Sequence, residues 1–459
     1  MRTLALWCTA GAIFAPAVLP AQARSRAEMA RAIDSLAMAP VTRGQVAGIS
    51  VAVVKGRDTI LIKGYGSADL DLEVPTPANA VYEIGSVTKQ FTTAALLQLV
   101  EQGKLSLDDD ITKYLPNYPS RGNAIPIRRI LDHTSGIRSY TEIAEARTMF
   151  RNPITKDSLV ALVAGKGFDF APGTNLVYNN SAFFLAGMIV EKVSGQPYPD
   201  YIQANIFDRL GMTSSRYCSE SALMKRKVHG YGFGASGLVK AYQQDHSWPF
   251  AAGSLCSTAG DLVTWLKALH TTDRVINRAS YQEMITPGTL NDGYRVRYAK
   301  GIVAGEEDGR RMISHGGGIS GFVSEARYYP DDDLSIVVLI NTGGPVGAAD
   351  GAKGIARIVL GPGKELKGVA FSGDLEQLAG KYRGVGRGAP MELTLAVDGG
   401  VLKARQPGQT AAGRTLTYMG NDMFQGPNSD RYSIIREGGR VAAIRVDLIS
   451  VVSMARRVE

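Results

Sequence analysis

A serine precedes a lysine by three residues in the stretch IGSVTKQF, where Ser86 and Lys89 stand at the predicted start of a helix. Side chains at this spacing share one helix face, so the Lys89 amine can reach the Ser86 hydroxyl. A serine needs a neighbouring base to act as a nucleophile, and burial at a helix N-terminus lowers the pKa of a lysine toward that role. The spacing therefore predicts a nucleophile and its base. The alternative is a capping serine followed by a solvated lysine.

Two other motifs could add proton transfer and backbone hydrogen bonds to this pair. Tyr178 and Asn180 form the only Tyr-x-Asn in the chain and stand just before a predicted helix, so both side chains can point into one cleft. The only His-x-Gly triplet begins at His315 and is followed by Gly318. Glycines let a backbone approach a ligand closely. A core-lining tyrosine and an ordinary glycine-rich turn are the alternatives.

The elements that must position these residues are two groups of strands around a helical middle. The predicted helices run from Ser86 to a stop at Gly103, from Ser181 to Val193 and from Ala259 to Leu269. The predicted strand pairs are VAGISVAVV with TILIK, and ISHGGGISGFVSEARYYP with LSIVVLIN, each joined by a short polar turn. One sheet assembled from distant parts of the chain, with a helical insertion, is an α+β architecture.

A composition shift at GPGKELKG separates a strand-rich carboxy-terminal part from the rest of the chain. The later segments MELTLAV, VLKARQ, RYSIIRE, RVAAIRVDL and ISVVSMARRV are predicted short strands, with glycine-containing turns between the first and second and between the third and fourth. This pattern predicts a small antiparallel barrel or sandwich. We therefore predict a signal peptide at residues 1–23, an α+β domain at residues 24–366 and a β domain at residues 371–459.

The three motifs, in this order, resemble those of the serine β-lactamase and penicillin-binding protein superfamily. The similar branch is class C-like and contains D-aminopeptidases, D-alanyl-D-alanine carboxypeptidases and esterases. The stretches LDHTSGI and IFDRLGMTSS also look like this branch, and the resemblance covers roughly residues 46–342. It implies a β-lactamase-like antiparallel sheet flanked by helices, with a helical subdomain. The carboxy-terminal part resembles the lipocalin-like barrels appended to some of these peptidases.

The resemblance also implies a role for each matched residue. Ser86 and Lys89 match the Ser-x-x-Lys motif, and Tyr178 matches the tyrosine that shares proton transfer with the lysine. Asn180 would orient the lysine and the substrate. The backbone N–H groups of Ser86 and Gly318 would form an oxyanion hole. No cofactor is implied.

The third motif departs from the β-lactamase pattern at His315. Most β-lactamases have a lysine there, and this lysine helps to hold a substrate carboxylate, whereas a histidine is a weaker, pH-dependent cation. His315, Gly317 and Gly318 are still predicted to bind substrate. The exchange resembles the D-aminopeptidase and esterase members and argues against efficient β-lactam hydrolysis.

The amino terminus, the cysteines and the charge bear on location and partners. A basic residue, a short apolar run and an A-x-A site ending at Ala23 are typical of a cleaved secretory signal. They predict a periplasmic or secreted protein, with a membrane anchor as the alternative. Cys218 and Cys256 would remain and are predicted to form a disulfide. The net charge is +8, but the sequence contains no basic patch interleaved with aromatic residues, which argues against nucleic-acid binding.

The leading functional hypothesis is an exported serine hydrolase that acts through an acyl-enzyme on esters, or on peptides and amides that contain D-residues. A β-lactamase or D-alanyl-D-alanine carboxypeptidase is the second hypothesis. A non-catalytic protein that binds peptidoglycan fragments is the third. The predicted partners are a small-molecule or peptide substrate and cell-wall fragments. No metal site is predicted, because neither mature cysteine has a second ligand at suitable spacing.

Overall fold

The computed structural model describes residues 24–219, 221–364, 367–408, 413–427 and 429–458. The predicted signal peptide, residues 1–23, lies outside the described residues. The centre of the fold is a seven-stranded sheet in which all neighbours are antiparallel. Its strands, in spatial order, are Val303–Glu307, Arg310–Ile319, Phe322–Tyr329, Leu334–Ile340, Gly48–Lys55, Asp58–Asp69 and Val74–Pro75.

The central strand Gly48–Lys55 is buried on both of its faces. Val51 and Val53 face the helices Arg26–Thr42 and Ala348–Leu360, while Ala52 faces the helical region on the other side. Successive side chains of a strand alternate between faces, and here both faces are buried. The strand therefore reads as a continuous apolar run.

The glycine-rich stretch before Asp331 is two strands, where the sequence suggested one arm of a hairpin. Arg310–Ile319 turns into Phe322–Tyr329 at Gly321, which has φ +82°. A Cβ on Gly321 would lie 2.7 Å from the Gly230 Cα. The turn therefore needs glycine for its backbone conformation and for space, and the predicted hairpin becomes a three-stranded meander.

Helices cover both faces of the central sheet, and most of them lie in the middle of the sequence, as predicted. The α-helices are Arg26–Thr42, Thr88–Glu101, Ile127–Leu131, Ala144–Thr148, Lys156–Gly165, Asn180–Ser194, Tyr198–Ile202, Asp208–Leu210, Ala259–Thr271, Arg278–Ile285 and Ala348–Leu360. Shorter helical turns are Gly85–Val87, Ile111–Lys113, Tyr140–Glu142, Gln203–Phe207, Phe250–Ala252 and Leu375–Leu378. Among the described residues, no helix is long and apolar enough to cross a bilayer.

Two small sheets fasten the helical region to the central sheet. One contains Tyr82–Glu83, Leu255–Ser257 and Arg216–Tyr217, and the other contains Thr342–Gly343, Tyr231–Gly234 and Gly237–Lys240. A disulfide joins Cys218 to Cys256 beside the first of these sheets, and both cysteines are fully buried. The strand Leu255–Ser257 thus holds the segment before Ser86 by hydrogen bonds and the Cys218 segment by a covalent bond.

The carboxy-terminal part is a curled antiparallel sheet around its own apolar core. Its strands, in spatial order, are Arg414–Thr415, Val401–Arg405, Met391–Asp398, Gly380–Gly384, Val451–Arg457, Arg440–Asp447, Arg431–Glu437, Met423–Gln425 and Thr417–Gly420. The two edge strands are consecutive in sequence, so the sheet is nearly closed. The predicted α+β fold followed by a small antiparallel β-barrel is confirmed.

The C-terminal sheet is attached to the segment that leads into Tyr178. The short strand Leu176–Val177 pairs with the start of Val451–Arg457. The Tyr178 N–H donates to the Ser450 carbonyl at 2.8 Å. A buried ion pair between Arg297 and Asp447, 2.8 Å apart, fixes the same junction. The backbone of a predicted catalytic residue is thus held by the second domain.

Candidate active site

Ser86 lies at the centre of the tight turn Gly85–Val87, directly before the helix Thr88–Glu101. Every residue from Val81 to Leu99 is buried except Ser86, which is partly exposed. The Gly85 φ of +49° lets the chain turn sharply at this point. The turn therefore presents one hydroxyl to solvent from an otherwise buried segment.

The Lys89 amine is held by three oxygen atoms. It lies 3.1 Å from Ser86 Oγ, 2.8 Å from Asn180 Oδ1 and 2.8 Å from the Ala252 carbonyl oxygen. A neutral amine has two N–H donors and one lone pair. Asn180 Oδ1 and the carbonyl of Ala252 can only accept, so they take both donors and leave the lone pair for the Ser86 hydroxyl. This geometry suits Lys89 as a base.

The surroundings of Lys89 favour its neutral form. Burial lowers the lysine pKa well below its usual value, and the positive charge of Arg387 lowers it further. The rings of Tyr178 and Phe183 wall the amine, with centroids 4.8 and 5.3 Å from Nζ. The sequence predicted this effect from a buried helix start, and the structure adds a cation from the C-terminal sheet.

The Tyr-x-Asn motif reaches the same place from the helix Asn180–Ser194. Asn179 caps this helix, with its Oδ1 accepting from the Ala182 N–H at 2.9 Å. Asn180 therefore starts the helix and points its amide oxygen at Lys89. Burial raises the pKa of Tyr178, while the neighbouring Ser86 hydroxyl acts in the opposite direction. The Tyr178 hydroxyl is buried and lies near the Ser86 hydroxyl, although among the described residues it makes no hydrogen bond of ordinary geometry.

The glycines after His315 pack against the serine turn. A Cβ on Gly317 would lie 2.1 Å from the Ile84 carbonyl oxygen, which also accepts a hydrogen bond from Ser324 at 2.8 Å. A Cβ on Gly85 would lie 2.8 Å from the Gly318 nitrogen. Gly318 and Ser86 line the same cavity. The oxyanion hole from their N–H groups remains a prediction. It requires the serine turn and the Gly318 backbone to lie close together, as they do here.

His315 is buried beside the site, with both ring nitrogens occupied. Nδ1 lies 2.5 Å from the Gly316 carbonyl oxygen, which can only accept, and Nε2 lies 2.8 Å from the Tyr298 hydroxyl. Nδ1 therefore carries the proton, and the Tyr298 hydroxyl donates to Nε2. Burial lowers the His315 pKa to about 3, so the ring stays neutral. Its predicted role in binding substrate stays a prediction, but its one donor is already used within the protein.

Two residues at the site were not among the sequence candidates. His133, in the stretch LDHTSGI, has φ +63° and accepts the Asn179 N–H at 3.1 Å. Its ring packs between those of Tyr178 and Tyr298, with centroids 4.3 and 4.4 Å away. Arg387 lies over the Tyr178 ring at 5.5 Å. The HTSG stretch offered a signal for His133, whereas nothing in the sequence pointed to Arg387.

The cavity beside Ser86 is small, at about 90 Å³, and is lined also by Tyr140, Thr141 and Gly318. A cavity of about 410 Å³ adjoins it at Gln244, which lines both. Larger cavities lie away from Ser86, one of about 540 Å³ in the C-terminal sheet and one of about 600 Å³ between the helix Arg26–Thr42 and the strand Asp58–Asp69. The predicted chemistry of Ser86 and Lys89, rather than cavity size, is the reason to take the small cavity as the candidate active site. Within the described residues, no group of three or more His, Cys, Asp or Glu side chains could hold a metal ion.

The beta-lactamase family model matches residues 29–360, well over half of the chain. The chain is similar to Protein flp of Staphylococcus aureus (strain N315), with 28% identity over 314 residues. The match covers 67% of this chain and 62% of that protein, so the chain spans less than two thirds of this relative.

Two solved structures are similar over most of their length. The octameric penicillin-binding protein homologue from Pyrococcus abyssi has a TM-score of 0.64 at 25% identity, covering 92% of this chain and 99% of its own. The D-stereospecific amidohydrolase from Streptomyces sp. has a TM-score of 0.61 at 26% identity, covering 73% of this chain and 98% of its own. The first match is wide enough to include the C-terminal sheet.

Proposed function

This chain belongs to the beta-lactamase family of serine hydrolases, and on that premise we propose that it hydrolyses esters or amides through an acyl-enzyme on Ser86. The amides include peptides that contain D-residues. The observation that carries the proposal is the Lys89 amine, which is buried, lies 3.1 Å from Ser86 Oγ and directs both of its N–H donors elsewhere. The alternative, a capping serine followed by a solvated lysine, would leave the Lys89 side chain exposed, whereas it is fully buried.

The proposed acylation step uses three side chains, Ser86, Lys89 and Tyr178. Ser86 Oγ attacks the substrate carbonyl carbon while its proton passes to Lys89 Nζ. The oxyanion is stabilised by the N–H groups of Ser86 and Gly318. Tyr178, kept as a neutral phenol by its raised pKa, gives its proton to the leaving group and regains one from Lys89.

Deacylation reverses these proton transfers. A water molecule replaces the leaving group, gives its proton to the basic pair of Lys89 and Tyr178, and attacks the ester carbonyl. The bond between Ser86 Oγ and the acyl carbon breaks, and Ser86 recovers its proton. The products are a carboxylic acid and the alcohol or amine released in the first step.

The substrate class is supported by the relatives and by the cavity. The Streptomyces structure is a D-stereospecific amidohydrolase, which favours amides of D-residues. The small cavity beside Ser86 adjoins a wider polar one at Gln244, which gives room for an acyl group larger than acetyl. A β-lactamase or D-alanyl-D-alanine carboxypeptidase would use the same groups and is the second proposal. A protein that only binds cell-wall fragments would not need a neutral Lys89.

We propose further that the protein is exported. The support is the buried disulfide between Cys218 and Cys256, because such bonds form and persist mainly in oxidising compartments. Peptide mapping of the protein from periplasmic and cytoplasmic fractions would test this. Mature protein found only in the cytoplasm, with free thiols at both positions, would contradict it.

The decisive experiment is turnover of a panel of short-chain esters, D- and L-amino acid amides and a chromogenic cephalosporin. We expect esters and D-amino acid amides to be the better substrates and Ser86→Ala to abolish their turnover. A fluorophosphonate should label a single peptide that contains Ser86. Lys89→Met should remove labelling without changing the melting temperature by more than a few degrees, since methionine fills a similar volume. Activity that survives Ser86→Ala, or a label on another serine, would refute the proposal.

A further inference from the structure

A loop of the C-terminal sheet contacts Glu142, which directly follows two residues that line the active-site cavity, Tyr140 and Thr141. The loop joins the strands Gly380–Gly384 and Met391–Asp398 and touches the turn Tyr140–Glu142. Gly388, with φ +70°, lies so close that a Cβ there would be 2.9 Å from the Glu142 Cβ. The Gly388 carbonyl also faces the Arg138 guanidinium at 3.5 Å. The loop is therefore docked on the wall of the site.

Arg387 stands at the tip of this loop. Its Nη2 donates to Glu142 Oε1 at 2.8 Å, and its guanidinium lies 5.5 Å from the centroid of the Tyr178 ring. The Arg387 side chain is 41% exposed, while Glu142 is only 10% exposed. Arg147 takes the other carboxylate oxygen of Glu142 at 2.9 Å. One carboxylate is thus shared by two guanidinium groups, which leaves net positive charge and free N–H donors on Arg387.

The charge of Arg387 is felt by the catalytic groups. Burial has the largest effect on the pKa of each group, lowering that of Lys89 and of His133 and raising that of Tyr178, and the positive charge of Arg387 acts in the lowering direction on all three. Thr141, the neighbour of Glu142, accepts from Asn180 Nδ2 at 3.4 Å and lines the cavity beside Ser86. Arg387 is thus a partly exposed cation beside the Tyr178 ring, where it could bind an anionic group of the substrate.

Resting on the proposed function, we propose that Arg387 binds a substrate carboxylate, so that the C-terminal sheet supplies the anion recognition that His315 cannot. His315 is neutral and has used its one donor on the Gly316 carbonyl. Arginine remains charged and can grip a carboxylate with two parallel N–H groups. Because Arg387 covers Tyr178, which protonates the leaving group, the carboxylate belongs to the leaving group. The preferred substrates are therefore peptides, esters or thioesters whose leaving group carries a free carboxylate near the scissile bond.

A matched pair of thioesters tests this proposal. One joins N-benzoylglycine to thioglycolic acid and the other joins it to thioglycolamide, so the two differ only in the leaving-group carboxylate. We expect the wild type to prefer the acid. Arg387→Gln should lower the acid-to-amide ratio of kcat/KM roughly 10- to 100-fold, the worth of one charge-assisted pair. The loss should fall mainly on KM, and Arg387→Lys should restore part of it.

The control is Arg383→Gln, in the same sheet. Arg383 pairs with Glu392 and lines the cavity of the C-terminal sheet, so its replacement should leave the ratio unchanged. A purely structural Arg387, which only ties the loop to Glu142, predicts equal losses on both thioesters and a lower melting temperature. That result would overturn the inference while leaving Ser86-dependent hydrolysis intact. Absence of Ser86-dependent turnover of either thioester and of the whole panel would instead count against the proposed function.

Discussion

Replacing Gly317 by alanine tests whether the third motif positions the serine turn. The new Cβ would lie 2.1 Å from the Ile84 carbonyl oxygen and 2.3 Å from Ser324 Oγ. Ser324 can rotate, but the carbonyl belongs to the backbone directly before Ser86. An ordinary contact begins near 3.4 Å, so the strand and the serine turn must separate by about 1 Å at this point.

The expected loss follows from this displacement. A shift of about 1 Å between a nucleophile and its oxyanion donors lowers the rate roughly 100-fold, which corresponds to about 2.7 kcal/mol of transition-state stabilisation. The accompanying strain of an overpacked contact is about 1–3 kcal/mol. We therefore expect Gly317→Ala to fold, with a melting temperature lowered by several degrees and a far larger relative loss in kcat/KM.

Gly318→Ala is the matched control, because a Cβ at Gly318 meets nothing within 4 Å and the residue keeps its N–H. The assays are kcat/KM on a short-chain phenyl ester, the rate of fluorophosphonate labelling at Ser86 and thermal unfolding. Gly318→Ala should keep the wild-type melting temperature and lose much less activity. If both variants label and turn over alike, close packing at Gly317 does not position the serine turn, and our interpretation of the motif is wrong.

Three further predictions concern the disulfide, His315 and pH. Cys218→Ser should lower the free energy of unfolding by roughly 3–4 kcal/mol in urea titrations, because the bridge closes a loop with a sequence separation of 38 residues; a loss below about 1 kcal/mol would contradict this. His315→Lys should raise kcat/KM on a chromogenic cephalosporin relative to a neutral ester by roughly tenfold, since about 1.4 kcal/mol of a restored charged contact suffices; an unchanged ratio would assign substrate choice to the loops. Lys89 must be neutral to accept the serine proton, so kcat/KM falls as the pH drops through its pKa, which burial and Arg387 both lower. Arg387→Gln removes the second cause and leaves His133, His315 and Tyr178 in place around the amine, so the acidic limb of the pH profile should move to higher pH. A limb that stays in place or moves to lower pH would refute the assignment of this limb to Lys89.

The local part of the site could be predicted from the sequence because its geometry is short-range. A spacing of three residues at a helix start is enough to bring Ser86 and Lys89 together, and a helix cap is enough to aim Asn180. The helix predicted from Ser181 to Val193 is found as Asn180–Ser194 and ends at Gly195, with φ +71°. The strands of the C-terminal sheet were also predictable, because apolar and polar residues alternate along them and the apolar residues lie on the one face that packs inward.

What the sequence could not show depends on contacts between distant segments. The strand Leu176–Val177 is too short for any periodic signal and exists because Val451–Arg457 pairs with it. Arg387 looks like many other surface arginines until the sheet that carries it is placed against Glu142. The neutrality of His315 depends on Tyr298 and on burial, neither of which its own motif contains.

The hydrogen bond from Tyr178 to Ser450 also has a consequence for the timing of assembly. During synthesis, domains generally fold from the amino terminus as they emerge, and all three catalytic motifs are made before the segment that contains Ser450. Until that segment arrives, the Tyr178 N–H lacks its acceptor, and the strand Leu176–Val177 exposes an unpaired edge. The nascent first domain therefore holds the predicted nucleophile and base before the predicted proton-transfer tyrosine is fixed, and the candidate site is complete only once the C-terminal sheet has paired with the strand before Tyr178.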